Sequence, residues 1–453
     1  MMLSLAPVEP LPAQTLLLFL LQTGTLLGLA FLLGRLAQRL GLPSIVGELT
    51  AGVLLGPSVL AHTAPAASTW LFPHNTEQKH LLDAIGQLGV LLLVGFTGMH
   101  IDLKLARRHG RTAAAVSTTA LLLPLGLGFL LGLALPADLK PSDVDPVIFA
   151  SFIGVALSVS SIPIIGRVLV DMGLINRTVG QMILVVATVD DAVGWLLVSV
   201  VTALATTGIG PQEIATPLLH MAVLLLVTLT AGRWTVRRVM HWAGRSDSRG
   251  STITAAVVLL VLSGAGAQAL GFEALLGAFL CGILIGACDT GEQTARLQPL
   301  NAVVLAFLSP LFFALAGLRI DLTSLFHGTT ALWALAVLAV AVASKFLGAI
   351  VGSRVGRLGR WEALAIGAGI NARGVVQVVI AVVGVRLGLI TTAMYSIIVL
   401  IAVITPIMAP PILKAAMKRV ERMEEEMKRE RRGHAVRDAR EEPEEPVPSP
   451  RRD

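Results

Sequence analysis

Two adjacent aspartates, Asp190 and Asp191, lie in the middle of a long apolar segment that runs from Thr178 to about Leu204. A carboxylate near the centre of a bilayer costs about 3 kcal/mol or more, so acidic residues at that depth are usually functional. Two neighbouring carboxylates interact strongly enough to titrate as a coupled unit. We therefore expect a monovalent cation and protons to compete for the same oxygens, which becomes obligatory exchange if the site opens to one side at a time. A polar pair between packed helices is the structural alternative.

Lys345 is the one lysine that falls inside an apolar segment, at VAVASKFLGAI, and it is far from the segment ends where lysines snorkel. A buried ammonium needs a carboxylate partner, and Asp190 or Asp191 is the nearest in depth. Adjacent residues on a helix point about 100° apart, so one aspartate can face an ion path while the other pairs with Lys345. We assign Asp191 to the ion and Asp190 to the lysine, and the reverse assignment stays open.

Two further segments carry helix-breaking or polar residues at the same depth. In SVSSIPIIG, Ser160 and Ser161 precede Pro163, which removes a backbone donor and pushes its neighbour out of helical geometry. In GAGINARGVVQ, glycines flank Asn371 and Arg373. We expect two crossing, discontinuous helices whose dipole ends and free carbonyls meet near the bilayer centre, with Arg373 facing the negative ends. An ordinary kinked helix is the alternative for the first segment.

The composition identifies the class of protein. Of 453 residues, 55% are hydrophobic and only 14% are charged, against about 25% charged in soluble proteins, and the mean hydropathy is +0.79. Apolar runs of about 20 residues predict an all-α, multi-pass membrane protein, and their continuity excludes an outer-membrane barrel. The basic residues lie in loops between the apolar runs, which argues against nucleic acid as a partner. No cofactor is expected.

The hydropathy pattern predicts 13 transmembrane helices. Their expected ranges are 15–38, 43–61, 81–103, 112–135, 145–170, 178–204, 214–240, 251–270, 272–288, 300–318, 331–353, 362–385 and 392–413. Residues 1–417 are expected to form the membrane domain, and residues 418–453 a charged cytoplasmic tail, largely disordered. Basic residues concentrate in alternate loops, among them Arg35, Arg39, Arg167 and Arg177. The positive-inside rule therefore predicts a cell-membrane protein with its N-terminus outside and its C-terminus in the cytoplasm.

Two short motifs recur in the same order in the two halves of the chain. GELTAGVLLG, which begins at Gly47, matches GAFLCGILIG, which begins at Gly277, and their glycines have identical spacing. GMHIDL, from Gly98, matches GLRIDL, from Gly317. We therefore predict that the first six and the last six helices are repeats, joined by a connecting helix at 214–240. GMHIDL and GLRIDL are predicted to end on opposite sides of the membrane. The repeats are therefore expected to be inverted, as in many secondary transporters.

Taken jointly, the motifs resemble those of the monovalent cation:proton antiporter superfamily, specifically its bacterial sodium/proton and potassium/proton exchangers. The resemblance spans about Leu16 to Met417 and is carried by GELTAGVLLGP, ALSVSSIPIIGRVL, VATVDDAVGW, GAFLCGILIG, PLFFALAGLRIDL, SKFLGA and NARGVVQ. It implies a homodimer in which a core domain moves against a dimerisation domain. The dimerisation helices are expected at about 15–103 and 251–320, and the core helices at about 112–204 and 331–413.

The resemblance also implies a set of site residues. Asp190 and Asp191 match the family's double-aspartate motif, Lys345 its core lysine, and Ser160 and Ser161 the polar pair of its unwound helix. The segment NARGVVQ lacks the acidic residue that many relatives carry after the glycine, which leaves the selected cation open.

The expected function is secondary active antiport, in which sodium or lithium bound at the two aspartates is exchanged for protons by alternating access, with movement of net charge. Potassium/proton exchange, which could be electroneutral, is the alternative. The expected partners are membrane lipid and a second copy of the chain. An enzyme is not expected, because an intramembrane aspartyl protease needs aspartates on separate helices that converge on water. A sensor built on a transporter fold should have lost the core charges, which this chain keeps.

Overall fold

The computed structural model describes residues 11–40, 42–73, 76–101, 110–206, 211–245, 248–288, 292–319 and 330–420. The elements of the first half are α1 (Ala13–Arg39), α2 (Ser44–Leu55), α3 (Leu60–Thr63), α4 (Pro65–Leu71), α5 (Thr76–Met99), α6 (Gly110–Ala134), α7 (Pro146–Ser158), α8 (Ile162–Asp171) and α9 (Thr178–Thr206). Those of the second half are α10 (Pro211–Val227), α11 (Arg233–Gly244), α12 (Arg249–Ala269), α13 (Ala274–Ala287), α14 (Glu292–Val303), α15 (Ser309–Leu318), α16 (Thr330–Val355), α17 (Arg360–Ile370), α18 (Val375–Arg386) and α19 (Thr392–Met417). Single π-helical turns, Thr228–Gly232 and Val304–Leu308, join α10 to α11 and α14 to α15.

The described part of the chain contains 11 helical stretches that are long and apolar enough to cross a membrane. Two shorter apolar helices, Ala274–Ala287 and Val376–Arg386, fall on the ninth predicted span and on the second half of the twelfth. The expectation of an all-α, multi-pass membrane protein is therefore confirmed. The number 13 stays a prediction, because the 14 residues of α13 extend only about 21 Å, less than the roughly 30 Å of a hydrocarbon core.

Three predicted features lie wholly or partly outside the described residues. They are the ends of the two recurring motifs, at 102–103 and 320–322, and the tail from residue 421 onward.

The helices pack in two groups. In one group α2 contacts α1 and α15, α5 contacts α13 and α15, and α12 contacts α13. In the other, α6 contacts α7, α9 and α16, while α17 contacts α9, α16 and α19. Contacts of α8 with α2 and α5 connect the two groups.

Glycines allow the closest helix contacts in the first group. A Cβ atom on Gly52 of α2 would lie 1.9 Å from the carbonyl oxygen of Ala314 in α15, and one on Gly317 would lie 2.2 Å from that of Leu49. The contact between α13 and α5 has the same form. A Cβ atom on Gly282 would lie 2.0 Å from Gly95 O, and one on Gly98 would lie 2.4 Å from Phe279 O. Each motif therefore packs against the other type of motif from the opposite half of the chain, at the same relative positions.

Two helices are interrupted inside the second group. The chain leaves helical geometry at residues 159–161, between α7 and α8, and again at residues 371–374, between α17 and α18. Pro163 lies in the first turn of α8, where its missing N–H has no helical acceptor to lose. The sequence therefore breaks the first helix with a residue that also starts the next one.

Candidate functional site

The two interruptions contact each other directly. The backbone N–H of Ser161 donates to the carbonyl oxygen of Ala372 at 3.2 Å, and Ser160 Oγ lies 2.8 Å from the carbonyl oxygen of Ile370, the last residue of α17. Gln377 of α18 donates from Nε2 to Ala156 O of α7 at 3.1 Å. These bonds satisfy backbone groups that the broken helices leave free, and they join the two breaks into one polar crossing inside the protein.

Asp190 of α9 is at this crossing and is fully buried. Its Oδ2 lies 2.6 Å from Lys345 Nζ of α16, which is also fully buried. The same oxygen lies 2.9 Å from Ser160 Oγ. A hydroxyl carries a single proton, so Ser160 donates either to Asp190 or to Ile370 O, and it can serve the carbonyl when Asp190 itself is protonated. The ion pair joins the two residues for which the sequence predicted one; their roles in transport stay predictions.

Several buried oxygens around the crossing have no hydrogen-bond partner among the described residues. They are Asp190 Oδ1, Asp191 Oδ1, Ser161 Oγ and Asn371 Oδ1. Asp191 is only 3% exposed. Carboxylate, hydroxyl and amide oxygens are the donors that hard cations prefer. Within the described ranges, no group of three or more histidine, cysteine or acidic side chains could hold a metal ion as a resident cofactor. The unpartnered oxygens around the crossing are thus of the type that binds hard cations.

Arg373 is fully buried beside this site. Its backbone N–H donates to Thr405 Oγ1 of α19 at 3.2 Å, and its Nη2 donates to Ala341 O of α16 at 2.8 Å. The guanidinium is also within electrostatic range of Asp190. The guanidinium of Arg373 thus donates to a carbonyl of the neighbouring helix α16, one turn from Lys345. From the sequence we expected this guanidinium to face the negative ends of the broken helices.

The structure brings a further acidic residue, Glu273, within electrostatic range of Asp191. Glu273 immediately precedes α13 and makes no side-chain hydrogen bond to that helix's N-terminus. Its neighbours Phe272 and Leu276 pack in one apolar cluster with Ala192 of α9, next to Asp191. One feature of the sequence could have indicated Glu273, since it is a single acidic residue between two glycine-rich apolar runs. Because it lies at the end of a predicted span, the sequence does not show that it is close to Asp191.

Comparison with known proteins agrees with this architecture. The family model "Sodium/hydrogen exchanger, transmembrane" matches residues 27–419. The Na(+)/H(+) antiporter NhaS4 of Synechocystis is 30% identical over 88% of this chain and 97% of the relative. The Na(+)/H(+)-K(+) antiporter GerN of Bacillus cereus is 27% identical over 87% and 95%. By contrast, the chain spans about half the length of relatives such as Cation/H(+) antiporter 18 of Arabidopsis thaliana, at 26% identity over 88% of this chain and 48% of that relative.

A solved structure shares the fold. The sodium proton antiporter MjNhaP1 from Methanocaldococcus jannaschii, at pH 8, superposes with a TM-score of 0.63 at 18% identity, covering 89% of this chain and 99% of that one. An electron microscopy map of the same protein gives a TM-score of 0.67.

The fold is that of a multi-pass helical membrane protein, and the relatives define a family of transporters. The chain belongs to the transmembrane sodium/hydrogen exchanger family, as the resemblance of its motifs predicted.

Proposed function

We propose that this protein exchanges sodium or lithium for protons at Asp190 and Asp191. The single observation that carries the proposal is the buried crossing of two interrupted helices, where Asp190 pairs with Lys345 and unpartnered oxygens surround the aspartates. A buried carboxylate held among such oxygens can bind a proton or a small cation, but the two compete for the same atoms.

In the proposed cycle, Asp191 holds the cation together with oxygens of the crossing, and Ser160, Ser161 and Asn371 are the candidate neutral ligands. Cation entry displaces the proton from Asp191. The Lys345–Asp190 pair is the second titratable unit, and if it releases a proton in the same step the exchange moves net charge. Arg373 supplies a fixed positive charge that stabilises the ionised carboxylates, so that a proton bound there can be released when a cation enters.

Potassium/proton exchange is the second candidate. It is favoured by the likeness to GerN, whose name includes both Na(+) and K(+). All the candidate ligands here are oxygens, and oxygens bind either ion, so the donor types do not select between them.

Alternating access is proposed to arise from movement of the group containing α6–α9 and α16–α19 against the group containing α1–α5 and α12–α15. We propose these groups as the core and the dimerisation domain respectively, with α10 and α11 as the linker. The inverted repeat is supported by the matched glycine contacts. Gly52 contacts Ala314, which is three residues before Gly317, and Gly282 contacts Gly95, which is three residues before Gly98. The same proposal includes 13 transmembrane helices, a homodimer, location in the cell membrane and an external N-terminus.

The test is exchange in proteoliposomes, read with a trapped pH dye after addition of sodium, lithium or potassium. Potassium and valinomycin can be used to clamp the membrane potential at zero or at a set value. A rate of exchange that differs between the two conditions shows that net charge moves. Asp191→Asn should abolish the dye response while leaving the protein folded. Asp143→Asn, in an exposed turn, is the matched control and should keep full activity. Full exchange by the Asp191 variant, or no response of the unaltered protein to any of the three cations, would refute the proposal.

A further inference from the structure

A second buried ionic cluster lies away from the aspartates, at the ends of α2 and α8. Arg167 of α8 donates from Nη2 to Ser44 Oγ at 2.8 Å and lies 3.1 Å from Glu48 Oε1. Its Nε lies 3.1 Å from Asp171 Oδ1, one turn further along α8. Ser44 in turn donates to Asp171 Oδ2 from its backbone nitrogen at 3.0 Å and from its hydroxyl at 2.7 Å. We call these four residues the Arg167 cluster.

The charges of the Arg167 cluster are removed from solvent. The side chains of Arg167 and Glu48 are 8% and 3% exposed, and that of Asp171 is 12% exposed although its main chain is open at the helix end. A buried Arg with two carboxylates is stable only while all of its partners stay in place, because each charge left alone would be strongly destabilised. Separating these groups is therefore favourable only if water reaches the charges that are left alone.

The cluster crosses the boundary between the two helix groups. Arg167 and Asp171 belong to α8, whereas Ser44 and Glu48 belong to α2. Arg167 also donates from Nη1 to Leu305 O at 3.0 Å, in the π-helical turn that leads into α15. Relative movement of α8 against α2 and α15 would have to break the bonds from Arg167 to Ser44, Glu48 and Leu305, and those from Ser44 to Asp171. The contact between Arg167 and Asp171 lies within α8 and could persist.

A cavity of about 340 Å³ lies beside the cluster, lined by Ser44, Asp171 and Lys414, among others. It marks the face of the protein at which α2 begins and α8 and α19 end, which we call the Lys414 face. The cavity provides space in which the separated charges could be hydrated. Glu48 Oε2 is buried without a partner in the described part of the chain, so the contact is incomplete even when closed.

The opposite face differs. There, a cavity of about 230 Å³ separates α5 and α15 from α18, and its lining includes Asp83, Arg319 and Arg386. Asp83 and Arg319 pair with each other, and both belong to the first helix group. The two groups are therefore joined by buried charges at the Lys414 face and parted by a cavity at the Arg319 face.

We propose that the Arg167 cluster is the gate at the Lys414 face: it is closed in this structure and must open for the two aspartates to be reached from that face. The gate residues touch no transported ion; they act by setting which face the site opens to. This inference rests on the proposed exchange function. The loop charges assign the Lys414 face to the cytoplasm.

Weakening a gate that is closed in one state moves the resting equilibrium toward the other state. The apparent KM for the cation should then fall at the Lys414 face and rise at the Arg319 face. A purely structural role would reduce the amount of folded protein and lower Vmax from both faces, without changing the ratio of the two KM values. That ratio is therefore the diagnostic quantity.

The experiment compares right-side-out with inside-out vesicles containing Ser44→Ala or Glu48→Gln, and measures the apparent KM from each face. Ser44→Ala removes one hydroxyl and leaves no charge unpaired, so it should fold even if Glu48→Gln does not. Ser151→Ala, on the exposed side of α7, is the matched control. We expect the ratio of the KM at the Arg319 face to the KM at the Lys414 face to rise about tenfold, equivalent to about 1.4 kcal/mol. The control should show no change in this ratio.

The proposed gate would be overturned if both gate variants keep the KM ratio within about twofold of that of the unaltered protein. It would also be overturned if the KM rose at the Lys414 face and fell at the Arg319 face. Either result leaves the exchange function intact, because exchange itself would still be observed. Loss of exchange in the unaltered protein would instead end the proposed function, and the gate with it.

Discussion

Removing one partner of the Lys345–Asp190 ion pair should destabilise the protein far more than removing both. The two charged atoms lie 2.6 Å apart, and both side chains are fully buried. A charge left alone in such surroundings typically costs about 3–5 kcal/mol, whereas replacing both partners with neutral groups of similar volume is often close to neutral. We expect about 3 kcal/mol for Lys345→Met, at the low end of this range, because Arg373 remains within reach of Asp190.

The measurement is a double-mutant cycle with Lys345→Met, Asp190→Asn and the combined variant. Unfolding can be followed in detergent by the fluorescence of the chain's six tryptophans. The loss of stability in the combined variant should be smaller than the sum of the two single losses by at least about 3 kcal/mol. The deficit of Lys345→Met should also shrink as the pH falls, since protonation of Asp190 removes the unpaired charge.

The control is the exposed pair between Asp83 and Arg319, whose side chains are 42% and 47% exposed. A surface pair of this kind contributes roughly 0–1 kcal/mol, so Asp83→Asn should hardly change stability. Additive losses in the Lys345 and Asp190 variants, or single losses no larger than that of Asp83→Asn, would refute the assignment of a buried ion pair.

Two further predictions concern neighbouring helices. Glu273→Gln should raise the apparent KM for the cation at high pH, because it removes a negative charge near Asp191. The difference from the unaltered protein should vanish as the pH falls, because protonation then makes the native Glu273 neutral as well; an equal effect at every pH would contradict this role. Gly282→Ala should prevent folding or lower the melting temperature sharply, because its Cβ would lie 2.0 Å from a backbone oxygen of α5. Gly24→Ala, where nothing lies within 4 Å, should be neutral or stabilising, and equal melting temperatures for the two would count against the tight packing.

The main charges of the site could be predicted from the sequence because charges inside apolar segments are few. Asp190, Asp191 and Lys345 are conspicuous in such segments, and each has few possible partners at its depth. Pro163 and the glycines around Asn371 likewise identify interruptions by their backbone chemistry alone. Local signals of this kind locate the polar positions without any knowledge of how the helices pack.

The sequence could not predict contacts that depend on which helix faces which. Loop-charge counting assigns Arg167 to a loop, yet its side chain is buried against Glu48, 119 residues away in the chain. Glu48 itself belongs to the GELTAG motif, whose glycines attract attention as packing residues. Glu273 is similar, since nothing in its local sequence relates it to Asp191. These pairings arise from tertiary packing between the two helix groups, which hydropathy does not encode.

The charges of the core bear directly on how many protons exchange for each cation. With both aspartates ionised, their two negative charges balance those of Lys345 and Arg373, so these four groups together are neutral when no cation is bound. A cation on Asp191 or a proton on Asp191 then gives the same net charge, and the two can replace each other one for one. Movement of net charge needs a second proton, and the Lys345–Asp190 pair is the group in contact with the crossing that can provide it. Lys345→Gln should therefore keep exchange but lose its dependence on membrane potential in the valinomycin clamp. If the variant still carries current, the second proton comes from elsewhere, and Lys345 serves only to neutralise Asp190.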